Sequence, residues 1–377
     1  MRQLNWPQAI GWRMRRHRLH ERSPRGEVLQ VATEHGGLHA QVMSSAEWIA
    51  WCRVADIREG DVTRLLWQER RLIKTWAMRH TLHLVAAADY WAWIGAASSL
   101  RGYIAPTWLR QLGLSSEELE AVIEATGEAL SQGPLTRSEL AAEVARMTGN
   151  PRVEALLQQS WGLLLKPACM KGLLCFSEGE GTGSRFVHPE LHLRKKKPAR
   201  PRTGLKAIAR QFFATNGPAT EKEFARWLGL DVAGTRQSIA GLADELEMVD
   251  LEGTPAWMIA GHAAEARQAT PERTVRLLPS FDPYVFAGGL APERYLRGGH
   301  YKQIYKASAW YAPVLFAQGG FAGVWSWKKA GSRLTVTIEP FRSPAGWLKK
   351  GAEQEAELLA HSMDRKLELT WSQQGAK

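Results

Sequence analysis

The segment Gly36-Gly37-Leu38-His39-Ala40-Gln41-Val42-Met43-Ser44-Ser45 holds the pair of residues best suited to chemistry. Two polar side chains separated by one small residue point the same way only where the backbone is extended. In that conformation His39 and Gln41 could hold one water between them. An imidazole can also accept a proton near neutral pH, whereas a carboxamide can only orient. The other reading is a helix-entry loop whose polar groups satisfy the backbone, because Ser44 and Glu47 have the spacing of a helix cap. Spacing alone leaves both open.

Other catalytic patterns are missing. There is no P-loop, dinucleotide-binding glycine fingerprint, HExxH helix or nucleophile elbow. His80 with His83, and His188 with His192, have spacings a metal could use, but no cysteine or carboxylate neighbours complete either set, so neither metal nor cofactor is expected. Glu34, Glu47 and Asp56 are the carboxylates nearest the pair in sequence and read as caps or surface charge, with support of a reaction cation or of the water as the alternative.

The elements that must position these residues belong to a chain of 377 residues with a formal charge of +11, 45% hydrophobic and 23% charged. At roughly 100–200 residues per domain this is two to four domains with ample core, which excludes a disordered chain or a small disulfide scaffold. No apolar stretch approaches the ~18 residues of a membrane span, and no secretory run follows the basic N-terminus. With only Cys52, Cys169 and Cys175, a reducing cytoplasm is expected. A pI near 9.7 makes a polyanion the first partner to consider, with solvated surface charge as the alternative. The charge gathers at Arg13, Arg15, Arg16, Arg18, Arg22 and Arg25, and again at Arg194-Lys195-Lys196-Lys197 with Arg200 and Arg202. Pro198 and Pro201 mark the second cluster as an exposed linker, either a solvated hinge or a phosphate clamp.

An internal echo flanks this linker. Gly133-Pro134-Leu135-Thr136-Arg137-Ser138-Glu139 and Gly217-Pro218-Ala219-Thr220-Glu221-Lys222-Glu223 lie 84 positions apart, and each places Thr three residues before Glu, a capping box. After the first, a helix through Ala145 is followed by a longer one carrying Val153, Leu156, Leu157, Trp161 and Leu164, then strands Leu173 to Ser177 and Arg185 to His188. The second copy has helices Leu205 to Ala214, Phe224 to Leu228 and Thr235 to Glu245, closed by a hairpin around Glu252-Gly253-Thr254-Pro255. Helices followed by a hairpin describe a winged helix. A less regular third unit lies N-terminal, with a helix capped by Ser44, a second helix Leu66 to Trp76, and β-structure at Thr81 to Val85. The C-terminal part turns to strands: Val275 to Pro279, Val324 to Lys328, Leu334 to Glu339 and Leu367 to Thr370. The expectation is an α+β protein of tandem winged-helix domains at 1–120, 121–197 and 198–268, followed by a small β-barrel-like domain at 269–377. The 17 tryptophans read mainly as packing residues.

Gly37-Leu38-His39-Ala40-Gln41 resembles the Gln-x-Gln motif of the winged-helix DNA glycosylases of the AlkZ/YcaQ type. Similar matches are Met78-Arg79-His80-Thr81-Leu82-His83-Leu84-Val85, Leu277-Leu278-Pro279-Ser280-Phe281-Asp282-Pro283-Tyr284 and Gly323-Val324-Trp325, so the resemblance spans nearly the whole chain. It implies winged helices and a barrel in a C shape around a basic channel for double-stranded DNA carrying alkylated bases. It also implies a monofunctional glycosylase that removes bulky alkylated purines such as N7-alkylguanine or unhooks interstrand crosslinks, in repair or genotoxin self-resistance.

The resemblance implies for Gln41 the role of positioning water for attack on C1′. His39 stands where the better-known motif has its first glutamine, and takes that role by analogy. Ordinary glycoside hydrolysis needs paired carboxylates. An N7-alkylated guanine is already a cationic leaving group, so oriented water and electrostatics would supply most of what remains. Arg13, Arg15, Arg16, Arg79, His83, Lys195, Lys196 and Lys197 are the expected DNA contacts. His83 would otherwise be a strand histidine with a satisfied hydrogen bond, and Asp282 either stabilises the fold or faces the channel. A monomer without membrane attachment, cytoplasmic and nucleoid-associated, is expected. The alternatives are a non-catalytic winged-helix DNA-binding protein or regulator, and a scaffold for a small molecule or protein.

Overall fold

Both capping boxes of the internal echo form. Thr136 accepts from the Glu139 amide at 3.3 Å while Glu139 accepts from the Thr136 amide at 2.7 Å, opening the helix Arg137–Thr148. Thr220 and Glu223 make the same exchange at 3.2 and 2.7 Å ahead of the helix Glu221–Leu228. The computed structural model describes residues 1–100, 106–159, 162–179, 183–193, 198–296, 298–307 and 310–372. Trp161 and the basic run 194–197, with Lys195, Lys196 and Lys197, lie outside the described residues. Helix and sheet are mixed, and the chain divides into two compact units.

The first unit comprises Met1–Thr63, Arg210–Phe224 and Leu242–Lys377. Its hairpin Leu246–Leu251 and Thr254–Ile259 turns at Glu252 and Gly253, both at positive φ (47° and 85°), as a two-residue hairpin loop requires. A short N-terminal strand, Arg2–Leu4, unforeseen from sequence, adds to it in parallel. The amphipathic helix Trp6–Arg16, capped reciprocally by Asn5 and Gln8, closes this core by packing Ala9 and Trp12 with Leu4, Val249 and Met258.

The unit also holds a five-stranded sheet, in the order Val275–Leu278, Val314–Ala317, Gly320–Ala330, Arg333–Pro340 and Lys366–Trp371. The last pair is parallel, which demands a crossover, and the 17-residue helix Gly346–Ser362 provides it. This helix approaches the sheet at Gly351, where a Cβ would stand 2.6 Å from Val275. Trp48 of the helix Met43–Trp51 stacks on Trp325 at 5.4 Å, in keeping with a packing role for the tryptophans.

The second unit comprises Arg64–Ala209 and Ala225–Gly241. Three sequence expectations are corrected here and in the first unit. Leu66 to Trp76 is not one helix: a π-helical turn ends at Gln68, and Leu72–Trp76 is a strand paired antiparallel with Leu82–Ala86. The β-branched and aromatic Ile73, Thr75 and Trp76 favour that pleated, buried surface over a helix. The long helix expected after Pro151 is divided into Arg152–Gln158 and Leu165–Met170, because Gly162 adopts φ 61° and a Cβ there would meet Trp76 at 2.9 Å. Ser44 does not cap its helix, which begins at Met43 after Val42 with no side-chain cap. Glu47 accepts instead from the Thr63 hydroxyl at 3.1 Å.

Candidate functional site

The loop carrying His39 is set by the end of the helix Val28–Glu34. Gly36 at φ 70° closes it in a Schellman turn, in which the Gly37 amide donates to the Ala32 carbonyl at 2.7 Å and the Gly36 amide to Thr33 at 3.0 Å. The chain leaves this turn as the short strand Leu38–His39 and bends at Gln41 before the helix Met43–Trp51. His39 is 8% exposed, and its ring lies on Phe281 with centroids 4.3 Å apart and planes 17° apart. Gln41 is exposed. The two members of the motif therefore differ in setting: the imidazole is buried against an aromatic ring, while Gln41 lies exposed past the end of the strand.

Phe281 is itself constrained. It adopts φ 62°, a left-handed conformation that a bulky residue occupies only when its surroundings impose it. The next residue supplies the restraint. Asp282, fully buried, accepts two hydrogen bonds at 2.8 Å from Arg53, also fully buried, and one at 2.9 Å from the Tyr284 amide, capping the helix Pro283–Gly288. Arg53 turns its Nε toward His35 Nε2 at 3.1 Å, and His35 Nδ1 donates to the Val31 carbonyl at 2.8 Å. One guanidinium thus grips both the turn that leads to His39 and the turn that presents Phe281. On the outer side of Phe281, Trp310 packs edge-on at 4.7 Å and is 42% exposed.

Sequence reading missed Arg53, although a signal was there. A lone arginine follows the apolar Trp48-Ile49-Ala50-Trp51-Cys52, just past the end of the helix Met43–Trp51, and an arginine among apolar residues must be paired where it is buried. Asp282 takes the first of its two expected roles, stabilising the fold. Among the nearby carboxylates, Glu34 holds Arg18 with both oxygens, at 2.6 and 2.7 Å, and burial pushes Glu47 above the usual carboxylate range.

The expected DNA contacts divide. Arg13 is a correction: 1% exposed, its guanidinium donates to the Tyr295 hydroxyl at 2.7 Å, the Pro218 carbonyl at 2.5 Å and Glu223 at 3.1 Å, so it braces the interior rather than meeting a phosphate. Arg15 is exposed and shared with Glu272 at 3.0 Å, while Arg16 donates to the Ala214 carbonyl at 2.7 Å over Trp12. Arg79 stands at the tip of the hairpin Leu72–Trp76 and Leu82–Ala86, at φ 52° beside His80 at φ 55°, and donates to the Trp227 carbonyl.

His83 is the second correction. It is 2% exposed, donates from Nδ1 to the Thr81 carbonyl at 2.9 Å, and burial pulls its pKa down to about 3, so it carries no charge for a phosphate. Among the described residues no group of three or more His, Cys, Asp or Glu could hold a metal ion, and no helix is long and apolar enough to cross a membrane. The three cysteines are buried, and burial pushes the Cys169 thiol up to about 11, which leaves it unreactive near neutral pH.

His83, with His17 and His35, predicts an acid dependence. Burial holds all three neutral, with His17 and His35 also well below their ordinary value. The unfolded chain takes up protons on these rings as pH falls below roughly 6.5, while the folded chain does not. Each ring therefore removes up to about 1.4 kcal/mol of stability per pH unit below that point. For His83 the loss continues until its folded pKa is reached. Urea unfolding should show a plateau above neutrality and a steep decline from pH 6.5 to 4, and His83→Gln should remove its share of the slope. A flat profile across that range would contradict this assignment.

Known proteins resemble the chain over almost its full length. The profile of the family described as DNA glycosylase AlkZ-like matches residues 33–362, a span that includes His39, Gln41, Arg53 and Asp282. A Streptomyces sahachiroi protein named interstrand DNA cross-link repair glycosylase is 30% identical over 366 residues, covering 95% of this chain and 96% of its own. The solved structure of Streptomyces sahachiroi DNA glycosylase AlkZ superposes with a TM-score of 0.86 at 29% identity, covering 97% of this chain and 100% of that one.

Proposed function

Because the chain belongs to the AlkZ-like DNA glycosylase family, we propose that it hydrolyses the N-glycosidic bond of alkylated purines in duplex DNA, with His39 and Gln41 directing the attacking water. The substrates this reading favours are N7-alkylguanine, bulkier N7 adducts and interstrand crosslinks. Crosslink repair is named for the Streptomyces sahachiroi relative. The observation that carries the reading is the family match over residues 33–362, within which His39 is stacked on Phe281 and Gln41 is exposed.

The chemistry asks little of the protein. Alkylation at N7 places a positive charge on the purine, so the C1′–N9 bond breaks toward a sugar cation and a neutral leaving base. Water adds at C1′, loses a proton, and leaves an abasic site. Gln41 would fix the water through its carboxamide, and His39, oriented by the stack on Phe281, would accept a hydrogen bond or the departing proton. The exposed Trp310 face beside Phe281 offers a platform for a base too large for an enclosed pocket.

Support for DNA as the partner comes from the family and from the +11 charge. Arg15, Arg16, Arg79 and the run Lys195, Lys196 and Lys197 are proposed as phosphate contacts. The order helix, helix, hairpin in both copies of the echo favours winged helices at 121–197 and 198–268, and the proposal adds a third, less regular winged-helix unit at 1–120 and a barrel-like domain at 269–377. A cytoplasmic monomer serving repair or genotoxin self-resistance fits this reading.

The test is direct. Incubation with duplex DNA bearing a defined N7-alkylguanine or N7 crosslink should liberate the free modified base, seen by chromatography, and leave an abasic site that alkali cleaves. Tight, salt-sensitive retention on that DNA without release of any base would favour the non-catalytic DNA-binding protein instead.

A further inference from the structure

In the first unit, the helix Gly346–Ser362, the strand Val275–Leu278 and residues that follow the helix Trp6–Arg16 enclose a cleft of about 970 Å³. At its floor Glu355, 4% exposed, accepts from Arg22 Nη1 and Nη2 at 2.9 and 2.8 Å and from Arg276 Nη1 at 3.3 Å. The other hydrogen bonds of these two guanidiniums run to neutral backbone carbonyls: Arg22 to Trp51 at 3.1 Å, and Arg276 to Val275 and His20 at 2.8 and 3.2 Å. Two largely buried cations therefore share one carboxylate. A buried charge without its own counterion is costly, and burial with the repulsion of Arg22 pulls the Arg276 guanidinium below its ordinary range.

The rim increases the imbalance. Arg273, lying over Trp347 at 5.8 Å, and Lys350 add two exposed cations, against the single further carboxylate of Glu357. Four basic side chains thus line the cleft beside two carboxylates. Guanidinium and ammonium groups are donors only, so what they lack is an acceptor carrying negative charge.

We propose that this cleft is an anion site that takes a phosphate group, held at the rim by Arg273 and Lys350 over the positive floor of Arg22 and Arg276. None of these residues belongs to the His39 and Gln41 pair, and the inference stands without that assignment. The phosphate has two chemical sources, the sugar–phosphate backbone of duplex DNA or a free phosphoryl compound.

The variant Arg273→Ser with Lys350→Ser changes only exposed side chains and should keep the wild-type melting temperature in chloride buffer. Inorganic phosphate or pyrophosphate, at ionic strength matched with chloride, should raise the melting temperature of the wild type and do so much less for the variant. If the source is DNA, the variant should also bind undamaged duplex about tenfold more weakly in fluorescence anisotropy, with a salt slope smaller by about one to two. If the source is a free phosphoryl compound, duplex binding is unchanged and only the phosphate response is lost. Glu355→Gln, which releases the floor cations from their shared carboxylate, should strengthen phosphate binding severalfold. The proposal is overturned if phosphate protects no better than chloride and the rim variant matches the wild type in duplex affinity and slope.

Discussion

Asp282→Ala is expected to lower the free energy of unfolding by about 3–5 kcal/mol, the usual result of removing one partner from a buried ion pair. The loss of attraction is the smaller part. Arg53 would keep its charge at zero exposure, with only the Ile49 carbonyl and His35 left to receive its hydrogen bonds. The helix Pro283–Gly288 would lose its cap at the same time. Phe281 would also lose the neighbour that holds it at φ 62° under His39. Equilibrium unfolding in urea measures the effect, and a change below about 1 kcal/mol would show that the pair does not carry this part of the structure. The double replacement Arg53→Met with Asp282→Leu should recover much of the loss, since it removes both charges together and fills similar space. Recovery of stability without recovery of base release would separate the folding role of the pair from its role in holding the His39 loop.

Gln41→Ala is expected to act in the opposite way, with little change in stability and a large change in chemistry. The side chain is exposed, so its removal should shift the melting temperature by no more than a degree or two. If the carboxamide orients the water, base release from N7-alkylated duplex should fall about 100- to 1000-fold, the range seen when a single preorganised polar group is removed from a transition state. Duplex affinity should stay within a few-fold of the wild type, because the group contributes to the reaction rather than to the backbone contacts. Equal rates for Gln41→Ala and the wild type would remove Gln41 from the site. His39→Gln, which restores the glutamine of the more familiar motif, should retain base release, because a carboxamide can also orient the water.

Features whose partners lie a few residues apart are legible along the chain. Thr136 with Glu139 and Thr220 with Glu223 cap their helices through contacts three positions long, and Glu252-Gly253 closes its hairpin through local φ preferences. The sequence also carried the His39-Ala40-Gln41 segment and its family resemblance. Tertiary structure decided the rest. Leu72–Trp76 became a strand because Leu82–Ala86 pairs with it, and the helix Gly346–Ser362 exists to cross between parallel strands. Arg13 and Arg15 stand in one basic run, yet one is taken into the interior by Pro218, Glu223 and Tyr295 while the other stays outside. Arg53 meets Asp282 across 229 positions, and through that meeting His39 acquires its support. Charge and spacing specify what a side chain can do, but whether it is buried, and against which partner, depends on segments that only folding brings together.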